Sequence, residues 1–425
     1  MKNLLLKLSI FCTSVVLIIA GCQRTDHNRK PLKRILLVPD SVATSIAEHF
    51  KPSVFFSENN PTNNAATKST LTGQNKIKTK YLFNDSYGNP ALYIFNFENN
   101  GGFIFVSADY QMQPILGYVE HGEFKKDIVP VGIIEWVNTT MENIEIVRNR
   151  LYDNSKGAAV AWRNYYNQNG NNKIKLKAAP LINNNCIDDK YSVTTIGPLL
   201  PVTWGQGCTY NELCPSLSCN LGCGTGRAWT GCVATATAQV IKYWHPTNGY
   251  NYNYASMPIS YGNNEVQRLM KDIGSTTNMA YGCSGSGAES NKVPIALKTV
   301  FGFNSANYVT YSWQRVLNNL NSHWPVLLDG CRTQTGNWFI INWWNNYSDC
   351  HEWVCDGYSE YSVEWCVNGQ YSGGCSYLYF HMNWGWHEVG VTNDYNGWFA
   401  FDNWNIPSLN RNYQYARNIT SEICP

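Results

Sequence analysis

Apolar and polar positions alternate in the first part of the chain in a way that predicts a small domain of mixed structure. Residues 91–97 and 103–107 are apolar runs joined by the polar, glycine-containing segment 98–102, which is typical of a β-hairpin. Further apolar positions recur every three or four residues at Ile134, Val137, Met141 and Ile144. This second spacing predicts a helix that ends near residue 151. The two patterns together predict a small α+β domain over residues 40–166.

A helix of the second part of the chain places a thiol in its first turn. Its apolar positions are again three or four apart, at Val233, Ala236, Val240 and Trp244. Pro246 predicts its end, and Thr230 is the predicted N-cap residue. Cys232 therefore begins the helix, where the helix dipole favours thiolate over thiol. Cys232 is a candidate catalytic nucleophile.

Three polar side chains elsewhere have the chemistry that such a thiol needs. His351 leads a predicted strand over residues 351–358, and Asn383 lies near the end of a predicted strand over residues 377–384. An imidazole holds the ion pair with a thiolate and protonates a leaving amine, and an amide orients the imidazole. Gln206, upstream of the thiol, is a suitable donor to a developing oxyanion.

Two other histidines compete with His351 for the role of base. His381 stands two residues before Asn383, so the two side chains share a face of the predicted strand, and His381 could reach the same cleft. His323 precedes an apolar run and is predicted to have a structural role. We expect His351 to be the base.

Four motifs resemble the streptopain-like cysteine peptidases of the papain clan, in family order, over residues 199–407. They are Gln206, Thr230-Gly231-Cys232-Val233-Ala234-Thr235-Ala236, His351 with Trp353-Val354-Cys355-Asp356-Gly357-Tyr358, and Asn383-Trp384-Gly385-Trp386. The resemblance implies Cys232 as nucleophile, His351 as base and Asn383 as the residue that orients it. It also implies Gln206 as oxyanion donor and Trp384 as a shield over the His–Asn pair.

The same resemblance implies an α+β fold with a papain-like two-lobed catalytic domain, a helical lobe plus an antiparallel sheet, over residues 199–425. The two apolar runs of the first part resemble the inhibitor-like propeptide found ahead of such domains. Ser284 and Ser286, in a glycine- and serine-rich stretch, are implied substrate contacts. The chain departs from the family pattern where Cys350 and Glu352 flank the histidine.

The N-terminus resembles a bacterial lipoprotein signal. Lys2 and Lys7 precede an apolar run that ends in small residues before Cys22. We expect residues 1–21 to be removed and Cys22 to carry lipid that holds the protein to a membrane of the bacterial cell envelope. Residues 22–39 are a predicted tether, and residues 167–198 a predicted linker and activation region whose cleavage would release the catalytic domain.

The chain has fifteen cysteines, and all except Cys12 and Cys22 lie beyond residue 180. In an exported chain the twelve other than these two and Cys232 predict disulfides. Cys208, Cys214, Cys219 and Cys223 form a local group. Their spacing lacks the paired two-residue gaps of a zinc ribbon, so the group predicts disulfides and not a metal site. Cys355, on a predicted central strand, could instead be a buried free thiol.

Charge and composition narrow the class of function. The net charge of +2 and the sparse charged residues argue against a nucleic-acid partner, and no cofactor motif is present. The predicted function is an exported, lipid-anchored cysteine endopeptidase made as a zymogen, with protein substrates and its own propeptide as inhibitor. The alternatives are another Cys-His-Asn acyl transferase, a cell-wall peptide amidase, or a non-catalytic surface-binding lipoprotein.

Overall fold

The computed structural model describes most of both predicted regions. It covers residues 35–52, 75–125, 131–149, 158, 161–162, 190–335, 346–367, 370–387, 395–400 and 415–425. The helices are α1 Asp40–Glu48, α2 Val131–Arg148, α3 Cys232–Trp244, α4 Asn264–Thr276, α5 Val293–Thr299 and α6 Trp313–Asn321. The strands are β1 Ile77–Asn84, β2 Pro90–Phe97, β3 Phe103–Ser107, β4 Ile115–Val119, β5 Lys190–Ile196, β6 Ser216–Cys219, β7 Gly226–Arg227, β8 Ser305–Thr310, β9 Val326–Thr335, β10 Asn346–Val367, β11 Gln370–Asn383, β12 Gly397–Ala400 and β13 Tyr415–Cys424.

One large antiparallel sheet runs through both parts of the chain. Among the described residues its strand order is β1-β2-β3-β4-β12-β11-β10-β9-β13-β8, and β5 pairs with β10 off this path. Strands β6 and β7 form a separate small hairpin. We call α1, β1–β4 and α2 the N-terminal unit, and the elements from β5 onward the C-terminal half.

The N-terminal unit is a four-stranded sheet with a helix on each face. Its predicted hairpin is confirmed, because β2 pairs with β3 in the register Phe95↔Ile104. Side chains on one face, such as Phe95 and Ile104, pack with α1, and those on the other, such as Phe105, pack with α2. Both faces are therefore buried, which explains why β2, β3 and β4 are apolar along almost their whole length.

A buried arginine ties α2 to the loops of the N-terminal unit. Arg148 is the last residue of α2, and its side chain is fully buried. It forms ion pairs with Asp85 at 2.6 Å and Asp109 at 2.8 Å, and it donates to the Pro90 carbonyl. A charge taken out of water needs such partners, and removing one partner from a buried pair is strongly destabilising.

The N-terminal unit joins the C-terminal half through β-sheet pairing. Strand β4 pairs with β12 in the register Trp398↔Tyr118. Across the same junction the Trp136 indole donates to the Ala400 carbonyl at 2.7 Å, and the Tyr379 hydroxyl donates to the Ile115 carbonyl at 3.0 Å. The two parts of the chain therefore share hydrogen bonds as well as an apolar cluster.

The C-terminal half has the predicted two-layer α+β arrangement. Helices α3, α4 and α5 form a helical layer whose buried side chains include Val240, Leu269 and Leu297. This layer packs on one face of β9 and β10 through Leu327 and Val354. The opposite face of β10 contributes to the cluster shared with the N-terminal unit.

Strand β5 lies within the predicted linker. Its residues pair with β10 from Ile196↔Tyr358 to Lys190↔Glu364, so they are part of the sheet of the C-terminal half. The preceding residues of the predicted linker, 167–189, lie outside the described residues, as do residues 1–34 with Cys22. Within the described ranges, no helix combines the length and the apolar character that crossing a membrane requires.

Candidate active site

Helix α3 begins at Cys232, as predicted, but Thr230 is not its N-cap. The N-cap residue is Gly231, with φ of 91° and no side-chain cap. A side chain there would be strained by the backbone and would also contact Met279 at under 3 Å, so the position favours glycine. The Thr230 hydroxyl instead donates to the Gln206 carbonyl at 3.2 Å. That bond ties the start of the helix to the segment carrying Gln206.

The thiol of Cys232 is protonated in this arrangement. Burial raises its pKa to about 11, although backbone N–H groups of Glu352 and Val233 oppose the shift. The Glu352 amide is the peptide group that directly follows His351, so the thiol lies beside the backbone of the histidine's own strand. The dipole of α3 alone therefore does not produce a thiolate here.

The imidazole of His351 is neutral and enclosed by tryptophan rings. Its Nε2 donates to the Trp384 carbonyl at 2.9 Å, because a carbonyl oxygen can only accept. The Trp353 ring stacks against it at 5.9 Å and 14°, and the Trp386 ring contacts its edge at 6.3 Å and 70°. Burial lowers the pKa of His351 to about 4, partly offset by the Trp384 carbonyl. The basic atom is therefore Nδ1.

The thiol and the imidazole do not form the predicted ion pair in this structure. Cys232 packs with the cluster around α3, whereas His351 shares its face of β10 with Trp353, which belongs to the cluster shared with the N-terminal unit. In the described residues no hydrogen bond joins the two side chains. The site brings the two residues together through the backbone of β10 but leaves both groups uncharged.

The contacts of Asn383 and Trp384 in this structure differ from those that their predicted roles require, and both roles stay predictions. The Asn383 amide donates to the Val202 carbonyl at 2.7 Å, so the acceptor that orients His351 is the Trp384 carbonyl and not the asparagine. The Trp384 ring lies 5.1 Å from Trp353 and 5.4 Å from Phe399. The rings that contact the imidazole are thus those of Trp353 and Trp386.

Glu352 points away from its neighbour His351, as alternation along a strand requires. Its carboxyl is buried and lies near Ser290, Thr237 of α3 and Asp329 of β9. Burial raises the pKa of Glu352 well above its usual value, and the Asp329 charge adds to this rise while the two hydroxyls oppose it. The pKa of His351 is lowered and not raised, so the adjacent carboxyl does not control it.

A cavity of about 330 Å³ lies beside these residues. Its lining residues are Gln206, Trp229, Ser284, Gly285, Gly385 and Trp386. The Gln206 amide donates to the Gly385 carbonyl at 3.4 Å. Ser286 does not line it, because its hydroxyl donates to the Trp229 carbonyl at 2.7 Å and accepts from the Gly282 amide at 3.1 Å. Ser284 is thus the predicted substrate contact that the structure places at the cavity, and Ser286 fastens the wall.

Disulfides brace both walls of this cavity. Cys208, close to Gln206, is bonded to Cys223, and Cys283, next to Ser284, is bonded to Cys219. The predicted local pairing is therefore right for the first bridge, whereas the second leaves the local group. Cys214 and Cys424 are free, which the prediction of general pairing missed.

The remaining predictions about cysteines and histidines have clear outcomes. Cys355 is a buried free thiol, as predicted. Cys350, before the histidine, is disulfide-bonded. His323 is exposed, and its carbonyl accepts from Tyr243 at 2.9 Å. His381 does not reach the cavity lining, and its Nδ1 lies 2.6 Å from Asp356. In the part of the chain that the structure describes, no cluster of three or more His, Cys, Asp or Glu side chains is arranged to hold a metal ion.

The motif residues and the fold define a cysteine peptidase. Residues 204–399 match the Peptidase C10 family, and residues 37–144 match the Spi protease inhibitor family. The C-terminal half of the chain therefore matches the C10 cysteine peptidases, and the N-terminal unit matches a family of protease inhibitors, as the motifs and the two apolar runs predicted.

Several known proteins are similar to this chain. The Porphyromonas gingivalis thiol protease/hemagglutinin PrtT is 24% identical over 380 residues, which are 80% of this chain and 37% of that protein. Streptopain of Streptococcus pyogenes is 25% identical over 366 residues, which are 75% of each chain. A prointerpain A fragment of Prevotella intermedia aligns with 80% of this chain and 97% of its own, at 24% identity and a TM-score of 0.48.

Proposed function

We propose that this chain is the latent precursor of an exported cysteine endopeptidase. The observation that carries the proposal is the position of Cys232, at the start of α3 and beside the peptide group that follows His351. The cavity lined by Gln206 and Trp386 would receive the substrate peptide next to these residues. No other thiol in the described residues has this combination of a helix start and a neighbouring histidine strand.

Peptide hydrolysis by these residues follows the chemistry of an activated thiol. In the assembled pair, Nδ1 of His351 takes the proton of Cys232, and the thiolate attacks the carbonyl carbon of the substrate. The Gln206 amide donates to the oxygen as its negative charge develops. His351 then protonates the leaving amine. Water, deprotonated by His351, hydrolyses the acyl-enzyme and restores the thiol.

The described state of the pair supports latency of the precursor. A thiol with a pKa of about 11 is almost entirely protonated near neutral pH, and a histidine with a pKa of about 4 is almost entirely neutral. Formation of the ion pair requires the His351 ring to leave its position between Trp353 and Trp386. Activation is thus a rearrangement around His351 as well as a cleavage.

A chain of aromatic contacts connects the N-terminal unit to that histidine. Phe105 and Trp136 of the N-terminal unit contact Phe399 at 5.9 Å and 5.3 Å. Phe399 contacts Trp384, whose carbonyl holds the imidazole. A tethered inhibitor acts at high effective concentration, so the N-terminal unit can hold this arrangement until the connecting segment is cut. We infer that cleavage within residues 167–189 activates the enzyme.

The location of the protein is part of the same proposal. The lysines before an apolar run and the small residues before Cys22 support export and lipid attachment at that cysteine. Lipid would hold the precursor at a bacterial membrane through its N-terminal unit. Cleavage beyond that unit would then release the catalytic half from the anchor. A Cys22→Ser variant should lose partition into detergent, whereas an unlipidated wild-type protein would contradict the anchor.

Alkylation of Cys232 before and after proteolytic trimming tests both the nucleophile and the latency. In the precursor we expect the iodoacetamide rate to rise about tenfold per pH unit through the neutral range, because the thiolate fraction does so below the pKa of about 11. In the trimmed enzyme the ion pair keeps a thiolate, so the rate at neutral pH should be much higher and nearly independent of pH. Casein hydrolysis should appear in parallel.

Two variants make the outcome decisive. Cys232→Ala should abolish both the labelling and the casein hydrolysis, by about 10⁴-fold or more in rate. Cys424→Ser, which removes a partly buried free thiol, should change neither. Hydrolysis that survives in Cys232→Ala would overturn the assignment. An untrimmed precursor with the labelling rate of the trimmed enzyme would overturn the latency.

A further inference from the structure

A second histidine of the C-terminal half is paired with a carboxylate away from the cavity. His381 Nδ1 and Asp356 Oδ1 are 2.6 Å apart, and their side chains are 9% and 1% exposed. The residues lie on the paired strands β11 and β10, and the Trp398 ring contacts the imidazole at 5.0 Å. The proposed hydrolysis gives this pair no role. A buried carboxylate nevertheless costs stability unless its oxygens are satisfied.

The other oxygen of Asp356 holds a segment of main chain. Asp356 Oδ2 accepts from the Leu200 amide at 2.9 Å, and the Asp356 carbonyl accepts from the Leu199 amide at 2.9 Å. We call residues 197–206 the strap. It follows β5 and ends at Gln206, so a carboxylate on β10 fixes the start of the segment that carries the predicted oxyanion donor.

The rest of the strap is fastened at short intervals to the elements of the active site. Asn383 donates to the Val202 carbonyl at 2.7 Å. The Trp204 amide donates to Gln239 of α3 at 3.2 Å, and Thr235 of α3 donates to the Gly205 carbonyl at 3.2 Å. The strap therefore links the buried pair to the helix that begins at Cys232, and its last residue lines the cavity.

Position decides whether an amide stabilises an oxyanion. The donor must lie within hydrogen-bonding distance of the oxygen as the charge develops, and a shift of about 1 Å can cost roughly 100-fold in rate. His381 holds one oxygen of Asp356, which leaves the other directed at the Leu200 amide. Loss of the His381 bond would leave the buried carboxylate partly unpaired and free to turn away from the strap.

We propose that Asp356 and His381 are positioning residues for peptide hydrolysis, which fix the strap so that the Gln206 amide reaches the substrate oxygen. The pair acts through Gln206 and does not touch the reacting atoms. This inference rests on the proposed function, because the role of Gln206 as oxyanion donor is part of it. His381 then has a structural role in catalysis that differs from the role of a general base.

The test is a double-mutant cycle measured on enzyme trimmed from the full chain. His381→Leu removes the donor, and His381→Asn keeps an N–H close to the Nδ1 position. We expect His381→Leu to lower kcat by about 10-fold with KM nearly unchanged, and His381→Asn to restore kcat to within about threefold of wild type. In a Gln206→Ala background, His381→Leu should lower kcat by less than about twofold, because the residue through which it acts is absent.

A control and a second variant keep the outcome clear. Glu422→Gln breaks the Arg315–Glu422 ion pair in the same half of the chain and should leave kcat unchanged. If thermal unfolding shows that His381→Leu does not fold, Asp356→Asn in the same two backgrounds supplies the same cycle.

Additive effects of His381→Leu and Gln206→Ala on kcat would overturn the positioning role. A His381→Asn enzyme whose kcat is no higher than that of His381→Leu would overturn it as well. An inactive trimmed wild type, or no loss in Gln206→Ala alone, would instead overturn the proposed function. The two failures are therefore distinguishable.

Discussion

The N-terminal unit and the C-terminal half share one sheet but are held together by different means. Residues 40–166 contain no cysteine, and the unit relies on Arg148 with its two carboxylates and on apolar side chains on both faces of its strands. In the C-terminal half, disulfides brace both walls of the cavity. The difference indicates that the part expected to separate is bound by reversible contacts, whereas the cleft keeps its shape by covalent bonds.

Among the variants that test this difference between the two regions, Arg148→Met should have the largest effect on stability and on precursor activity. Removing one partner of a buried ion-pair group costs about 3–5 kcal/mol, because Asp85 and Asp109 are left buried without their cation. We expect the N-terminal unit to unfold at lower denaturant concentration and the precursor to hydrolyse casein without cleavage. Lys80→Met is the matched control, since the exposed Lys80–Asp40 pair contributes about 0–1 kcal/mol.

Acid should weaken the same buried group. Burial by itself raises the pKa of Asp85, but hydrogen bonds from Asn89, Arg148 and Tyr87 outweigh it, and the net pKa lies below its usual value of 3.8. A depressed carboxyl pKa adds stability that is present above 3.8 and is lost as the pH falls through the lowered value. Arg148→Met should reduce this part of the acid sensitivity, because Arg148 is one of the groups that lower the pKa of Asp85. An unchanged acid unfolding profile in the variant would contradict the role of the group.

Gly397→Ala should weaken the pairing of β4 with β12, with a smaller effect on precursor activity than Arg148→Met. A Cβ at Gly397 would lie 2.3 Å from the Tyr118 carbonyl and 2.8 Å from Val119 Cα, and both atoms belong to β4 of the N-terminal unit. We expect a more active uncut precursor and an unchanged trimmed enzyme, measured by casein hydrolysis of both forms. Leu82→Ala, at an exposed position of β1, is the control. Equal loss of activity in both forms would show that β12 matters for the fold alone.

The smallest effect should come from the bridge at the cavity wall. Replacing Cys219 and Cys283 together by Ser frees the wall that carries Ser284 from the β6–β7 hairpin. The Trp229 indole still donates to the Cys283 carbonyl, so the wall should loosen and not collapse. We expect KM for peptide substrates to rise about 3- to 10-fold with little change in kcat. A lower kcat with constant KM would contradict this prediction, because it would mean that the bridge positions catalytic groups and does not shape the substrate cavity.

Elements with a strong local pattern were predicted well from the sequence. The β2–β3 hairpin and helix α3 occupy the predicted residues, and α2 ends three residues before its predicted limit. The order of Cys232, His351 and Asn383 also indicated the peptidase family that residues 204–399 match. Such features depend on neighbours in the chain, where side-chain periodicity and turn residues carry the information.

The features that the sequence did not reveal depend on contacts between distant residues. The acceptor for His351 is a backbone carbonyl, which has no residue identity that a sequence pattern could reveal. Cys219 pairs with Cys283 and not within its local group, because folding brings the cavity wall to the β6–β7 hairpin. Ser286 fastens that wall while Ser284 lines the cavity, although both occur in the same short serine-rich stretch.

The sequence by itself determined the reacting residue types, their order, the two-region organisation and the local elements, because each of these is written in residue identity and spacing. The tertiary structure decided that the His351 ring packs between Trp353 and Trp386 while Cys232 packs with the cluster around α3, since the side chains that a residue contacts depend on which elements pack together. It also decided that β4 joins β12, because an edge strand offers the same backbone hydrogen bonds to many partners, and long-range packing selects one.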